Sequence, residues 1–225
     1  MKKLFSALAV FACSLVAYSA QAGVMTLPNQ SFTGNANPAA TFNMGYAAQN
    51  DILIEFTVSY NGTLGNNDFA VFYFGNNSSG PNIGLKANCD SSCTNDLFVR
   101  MSGSSWAPGN YVNPSDIAPF PATYTLFGRL SKEGSSANYN SFQLWLNPTA
   151  QEKASLTGWD ASASGNSGLG SFSNIGIRTA NLNDITVNFT DITITDVPEP
   201  GTVSLLGLAA AGFVAMRRRG ARKAA

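Results

Sequence analysis

The stretch Ile52-Leu53-Ile54-Glu55-Phe56-Thr57-Val58-Ser59-Tyr60 decides the fold class of this chain. From Ile52 to Tyr60 an apolar side chain recurs at every second position, and Leu53 is the only apolar residue out of phase. This alternation predicts a β-strand with one buried face. The run over residues 69–74, FAVFYF, is apolar at every position and predicts a central strand that is covered on both faces.

Further short apolar runs between turn residues continue this pattern. They predict strands at residues 97–101, 123–130, 141–146, 172–179 and 184–195. The alternation slips by one around Thr190-Asp191, which predicts a bulge or a kink. Residues 161–170 are predicted to be flexible and polar, and no segment before the C-terminal tail has a helical period. We therefore predict an all-β domain, most simply a two-sheet antiparallel β-sandwich.

Four segments of the second half, FGRLS, FQLWLNP, FSNIGIRTAN and FTDITITD, resemble the corresponding part of a concanavalin-like, laminin-G-like jelly roll. The resemblance implies that a Trp-containing strand, here Leu144-Trp145-Leu146, packs across the sandwich. It also implies that the final strand pairs near the N-terminal one. The strand order of the first hundred residues stays open, and an immunoglobulin-like sandwich is the alternative.

The N-terminus has the features of a signal peptide. Two lysines precede an apolar stretch over residues 4–17, and Ala20 and Ala22 supply small residues at positions −3 and −1. We expect the export machinery to take up the chain and signal peptidase to cut before Gly23. Residues 1–22 are then absent from the mature protein.

The C-terminal region combines three unlike features in a fixed order. Pro198 and Pro200 lack N–H donors, so no strand or helix runs through them. The uncharged apolar run over residues 202–216 predicts a single transmembrane helix of about 22 Å, short of the roughly 30 Å hydrocarbon core. The basic cluster Arg217-Arg218-Arg219 keeps that end in the cytoplasm and places the upstream domain outside.

The sequence Pro198-Glu199-Pro200, the apolar run and Arg217-Arg218-Arg219 together resemble the PEP-CTERM sorting signal of Gram-negative bacteria. The resemblance implies recognition and processing by an exosortase while the inner membrane holds the chain transiently. It also implies delivery to the cell surface or extracellular matrix, in bacteria that produce exopolysaccharide. The alternative is a simple tail anchor that is never cut. We therefore divide the chain into a signal peptide (1–22), a sandwich domain (23–196) and a sorting segment (197–225).

The composition of the domain excludes several functions. Between residues 23 and 196 there are six basic and twelve acidic residues, and a mildly acidic domain does not suit nucleic acid, which needs a basic stripe. The chain has no histidine, which removes Ser-His-Asp and Cys-His catalysis and zinc sites built on imidazole. Glu55 is predicted to face away from the apolar side of its strand, and no acid–base pair is evident. We expect a non-enzymatic protein without a metal or cofactor.

Cys89 and Cys93 form a C-x3-C pair. In an exported protein we expect them to form a disulfide. Because the loop that they close is short, the predicted gain is modest, about 2 kcal/mol.

Loop-like polar segments contain aromatic residues that are candidate glycan contacts, because exposed rings stack on sugar faces. They are Trp106, Tyr111 and Trp159, with Tyr139 as a further aromatic of this kind. The alternative is that these rings cap the ends of the core. Trp145, within an alternating strand, is predicted to be a core residue.

Aspartates near turns leave a Ca²⁺ site open, and the alternative is that they are solvated and bonded to local backbone. The leading hypothesis is an exported, surface-sorted structural or adhesive protein of the cell surface or exopolysaccharide matrix. The second is a module that binds extracellular polysaccharide through loop aromatics, and the third is a glycan-active enzyme.

Overall fold

The computed structural model describes residues 23–87, 97–103, 110–112 and 122–197. These residues form twelve strands and one short helix, α1 (Ala150–Ser155), which follows β9. The strands are β1 (Gly23–Thr26), β2 (Gln30–Thr33), β3 (Ala36–Ala48), β4 (Asp51–Tyr60), β5 (Phe69–Phe74), β6 (Asn82–Lys86), β7 (Leu97–Arg100), β8 (Ala122–Ser131), β9 (Ser141–Leu146), β10 (Ala161–Ser164), β11 (Phe172–Ala180) and β12 (Thr186–Val197).

The strands form two antiparallel sheets, which confirms the predicted all-β sandwich. The first sheet has seven strands in the order β1-β12-β4-β8-β9-β10, with β2 also paired to β12. The second has five strands in the order β3-β11-β5-β6-β7. The last strand therefore pairs with the first two, as the jelly-roll resemblance implies.

The two strands with the clearest sequence patterns occupy the expected positions. In β4 buried and half-buried residues alternate from Asp51 to Tyr60, as expected for one face on the core. In β5 all six residues are buried, and the strand lies in the middle of the five-stranded sheet between β11 and β6. Both predictions are confirmed.

Aromatic rings join the two sheets at the centre of the core. The rings of Phe56 in β4 and Phe72 in β5 have centroids 4.8 Å apart. Phe189 in β12 packs edge-on against Phe72 at 5.2 Å. Tilted and edge-to-face pairs of this kind stabilise a core beyond the area they bury, so side chains from both sheets hold the sandwich closed.

The predicted slip in the last strand is a real feature of β12. Asp191 has a positive φ of 55° and is exposed, whereas Phe189 and Ile192 on either side are buried. The chain therefore adds one residue at this point and returns its next apolar side chain to the core.

Other elements differ from the sequence-based expectation. Ala161–Ser164, predicted to be flexible, is a strand that pairs with β9 and buries every second residue. The helix α1 was also not predicted. It is six residues long and none of them is buried, so it has no apolar period to detect.

Tyr139, named above as a loop aromatic that could contact a glycan, is instead fully buried. It belongs to the main core, and its hydroxyl donates to the Asn50 carbonyl at 2.8 Å.

The segment Val24–Asp196 is a compact unit by its internal contacts. In the described part of the chain, no helix has the length and apolar character needed to cross a membrane. The predicted transmembrane run over residues 202–216 lies outside that part.

Candidate functional site

Many of the sequence-predicted functional residues lie outside the described residues. This applies to Ala20 and Ala22 of the signal peptidase site, to Cys89 and Cys93, to Trp106, and to the sorting residues Pro198, Glu199, Pro200, Arg217, Arg218 and Arg219. Their assignments therefore stay predictions of the sequence. Gly23, the predicted mature N-terminus, is the first residue of β1.

The two described candidates for glycan contact adjoin different sheets. Tyr111 forms an isolated antiparallel bridge with Phe98 of β7, and their rings lie 5.7 Å apart. Trp159 precedes β10 and its side chain is 48% exposed. The structure therefore does not gather these aromatics on one sheet, and each one belongs to a different surface.

Trp145 is buried, as predicted, but on the outer face of the seven-stranded sheet. Its neighbour Leu144 belongs to the main core between the sheets, and successive side chains of a strand point to opposite faces. The ring of Trp145 packs on Phe127 at 5.3 Å. Its Nε1 donates to the carbonyl of Thr157, 2.8 Å away, in the loop after α1. This loop and the strand together bury the indole.

Two ion pairs lie on the same seven-stranded sheet. Arg129 of β8 donates through Nε to Asp51 Oδ2 at 2.8 Å. Lys153 of α1 lies 2.9 Å from Glu55 Oε1. Arg129 and Lys153 are therefore both paired with carboxylates of β4.

The outer face of the five-stranded sheet has a different character. Phe69 and Val71 of β5 alternate with residues of the main core and form a separate apolar cluster with Phe98 of β7. The five strands contain three charged residues, Lys86, Arg100 and Arg178, and all three are cations. Half of the basic residues of the domain therefore lie on these strands.

These three cations line one depression of about 340 Å³, which we call the cationic cleft. Lining residues of the cleft include Asn67, Phe69, Lys86, Arg100, Arg178 and Asn181. Strand register brings them together, because Phe69 lies opposite Lys86 on one side and opposite Ala180 on the other. The volume falls within the range of small-ligand sites, roughly 300–1,000 Å³.

Arg100 is held firmly in the cleft. Arg100 is 3% exposed. Its Nε donates to Asn82 Oδ1 at 2.8 Å, and its guanidinium carbon lies 5.2 Å from the centroid of the Phe69 ring. Burial, followed by the charge of Arg178, lowers the pKa of Arg100 to about 10, and Tyr111 acts in the opposite direction. The guanidinium is still cationic at neutral pH.

Arg178 lies over the same ring. Its guanidinium carbon is also 5.2 Å from the Phe69 centroid, a distance at which a cation is attracted to the ring face. The Nε of Arg178 is buried and has no hydrogen-bond acceptor among the described residues. A buried donor without an acceptor is costly, so Arg178 is held in this position at a cost to stability.

Sequence reasoning did not identify the cationic cleft. The three cations stand at positions 86, 100 and 178 on three strands, each as the only charge of its strand. The signal in the sequence is that each of these strands has one cation and no acid, in a domain with twelve acids and six cations. Their convergence depends on the order β11-β5-β6-β7, which the sequence does not reveal.

The acidic residues give no metal centre in the described part of the chain. No group of three potential protein ligands comes together there. Glu55 binds Lys153, and Glu152 caps α1 through Thr149. Asp68 is buried and accepts from the Gly65 amide at 2.7 Å, and burial raises the pKa of its carboxyl. These carboxylates have structural partners.

Comparison with known proteins identifies the C-terminal segment. Residues 196–219 match the model of the PEP-CTERM protein-sorting motif, so the chain has the sorting signal that its sequence resembles. A PEP-CTERM motif implies export, membrane anchoring and then processing by an exosortase. The protein is therefore exported and sorted to the surface. A search of curated protein sequences finds no match.

Solved structures with a similar fold bind or act on carbohydrate in some cases. Alginate lyase Aly36B in complex with alginate trisaccharide has 12% identity and a TM-score of 0.49, with 84% of this chain and 91% of that chain covered. The VIP36 exoplasmic/lumenal domain, in a Ca²⁺/Man3GlcNAc-bound form, has 9% identity and a TM-score of 0.46, with 80% and 84% covered. At these identities the likeness concerns the fold alone.

Proposed function

We propose that this protein is a non-enzymatic component of the bacterial cell surface or exopolysaccharide matrix, where its sandwich has a structural or adhesive role. The observation that carries the proposal is the sorting motif at residues 196–219. Strand β12 ends at Val197, so the last strand of the sandwich leads directly into the sorting signal. The domain that the signal delivers to the surface is therefore the sandwich itself.

Fractionation of a host that has an exosortase tests this delivery. We expect the native chain outside the inner membrane, with an intact mass that lacks the C-terminal tail. The matched variant Pro198→Ala/Glu199→Ala/Pro200→Ala keeps the apolar run and the arginines, and we expect it to stay in the inner membrane with its tail. A native chain that keeps residues 217–225 in the inner membrane would contradict the proposal and favour a plain anchor.

Two observations support the proposal of a non-enzymatic role: the residue types of the chain and the structural contacts of its glutamates. The chain has no histidine, and Glu55 and Glu152 are engaged in an ion pair and a helix cap. We expect no new reducing ends and no unsaturated products when the purified chain is incubated with bacterial exopolysaccharide. Turnover that a single carboxylate substitution abolishes would show instead that the protein is an enzyme.

A carbohydrate-binding module is the second candidate function. Two observations favour it, the cationic cleft and the exposed indole of Trp159. A glycan array with the full chain and with Trp159→Ala separates the two surfaces. Loss of glycan binding in Trp159→Ala would assign binding to the loop before β10, and unchanged binding would point to another surface.

A further inference from the structure

The charges of the cationic cleft are arranged at a cost to the folded protein. Arg100 and Arg178 carry like charges over one ring, that of Phe69, and Arg100 is almost fully buried. Burial and the neighbouring guanidinium both disfavour the charged form of Arg100. An anionic ligand would interact favourably with both guanidinium charges, so the arrangement suits a negatively charged ligand.

The donors of the cleft are suited to a carboxylate in particular. A guanidinium presents a planar fork of N–H groups that matches the two oxygens of a carboxylate. Arg178 is the half-buried guanidinium of the cleft, and Lys86 of β6 adds a third cation to its lining. Asn67 and Asn181 on the rim have amide groups of the kind that bind sugar hydroxyls.

The charge of the whole domain decides which polyanion fits. Residues 23–196 contain twelve acids and six cations, so a dense polyanion such as a nucleic acid, with one charge per roughly 1.7 Å of duplex, would be repelled by the net negative charge of the domain. A polymer with one carboxylate per sugar places fewer charges against the acidic surface. The sugar hydroxyls of such a polymer also need hydrogen-bond partners, and the amide groups of Asn67 and Asn181 are of the kind that provide them.

We propose that the cationic cleft binds an acidic polysaccharide through the carboxylates of its uronic acid residues. Arg178 holds the carboxylate, the charges of the buried Arg100 and of Lys86 add attraction at longer range, and Asn67 and Asn181 bind hydroxyls. This inference deepens the proposed function and rests on it, because the polymer is one that the surface-sorted chain would meet outside the cell.

Isothermal titration of the full chain, purified in detergent, with polygalacturonate oligosaccharides tests the proposal. The matched ligand is the same oligosaccharide after reduction of its carboxyls to neutral galactose, which keeps the backbone and removes the charge. We expect binding of the acidic form only, weakened as salt concentration rises. Equal binding of the reduced form, or tighter binding of dextran sulfate, would overturn the assignment to carboxylates.

Single substitutions locate the site. We expect Arg178→Gln to weaken binding roughly tenfold, because it removes a charge-assisted hydrogen bond, and Lys86→Gln to weaken it roughly threefold. The matched control is Lys132→Gln, which removes the same charge beside the ring of Tyr139, in the loop between β8 and β9. Thermal unfolding checks that the variants are folded. Unchanged affinity in folded Arg178→Gln and Lys86→Gln would overturn the proposal.

Failure of the cleft and failure of the proposed function are distinguishable. A chain that reaches the surface without its tail but does not bind polygalacturonate contradicts only the proposal that the cationic cleft binds an acidic polysaccharide. A chain that binds through Arg178 in detergent but stays in the inner membrane with an intact tail overturns the surface role alone.

Discussion

The outer faces of the two sheets place their cations in opposite surroundings. On the seven-stranded sheet, Arg129 and Lys153 each lie against a carboxylate of the protein. On the five-stranded sheet, Arg100 and Arg178 share the ring of Phe69, and the five strands have no acidic residue. Arg129 and Lys153 are therefore held by carboxylates of β4, whereas Arg100 and Arg178 lie close to each other at one aromatic ring. The comparison teaches that position in the fold, and not residue type, decides whether a cation packs against a carboxylate or against an aromatic ring.

Removal of one aromatic ring from each face should have the largest effect. Phe69 is 6% and Phe127 5% exposed, so Phe69→Ala and Phe127→Ala should each lower the free energy of unfolding by about 3 kcal/mol. Only Phe69→Ala should abolish polygalacturonate binding, because its ring supports both guanidinium groups. Urea denaturation and titration measure the two quantities. Equal loss of binding in both variants would break the distinction between the faces.

Loss of the helix cap on the seven-stranded sheet should have a smaller effect. Thr149 Oγ1 accepts from the Glu152 amide at 3.2 Å, and Glu152 Oε2 accepts from the Thr149 amide at 2.8 Å. Thr149→Ala should therefore cost about 1 kcal/mol of stability, with polysaccharide affinity unchanged. Thr149→Ser keeps the hydroxyl and serves as the control. A change of affinity in Thr149→Ala but not in Thr149→Ser would show that α1 takes part in binding.

Disruption of an ion pair on the seven-stranded sheet should have a still smaller effect. The side chains of Lys153 and Glu55 are 36% and 33% exposed, and partly exposed pairs contribute about 0.5 kcal/mol. We expect Glu55→Gln to lower stability by no more than this and to leave binding intact. Urea denaturation at low and high salt checks it, since salt should remove the difference from the native chain. A difference that persists at high salt would mean that Glu55 acts through packing.

The smallest effect should be the pH dependence of the cap. Hydrogen bonds from the backbone and then the side chain of Thr149 hold the pKa of Glu152 below its usual value of 4.5. Because the folded pKa is depressed, the contribution of the carboxylate is complete above about pH 4.5 and is lost as the pH falls through the folded pKa. The stability difference between the native chain and Glu152→Gln should therefore shrink in acid. Thermal unfolding between neutral and acidic pH measures it, and a difference that grows in acid would contradict this sign.

The fold was predictable where burial dictates residue type. The alternation of β4, the apolar run of β5 and the slip at Asp191 all follow from side chains that must face the core. Five strands, β1, β2, β3, β6 and β10, were not predicted. Of these, β3 and β10 are rich in small and polar residues, ANPAATFNMGYAA and ASAS. They are strands because pairing with β11 and β9 overrides their weak intrinsic preference.

The candidate site was less predictable than the fold. Loop aromatics suggested a glycan surface, and the described pair, Tyr111 and Trp159, adjoins different sheets. Tyr111 packs on Phe98, beside Arg100. The cleft itself joins residues that are 92 positions apart in sequence, from Lys86 to Arg178. Such a site depends on the order of strands in a sheet, which local patterns do not determine.

Hydrogen–deuterium exchange of the full chain, with and without polygalacturonate oligosaccharides, tests the difference between the two faces most directly. We predict ligand-dependent protection of the turns around Asn67 and Asn181, which line the cleft, and none around Trp159. Protection confined to the loop between α1 and β10 would contradict the account, because the exposed indole and not the paired arginines would then be the binding surface.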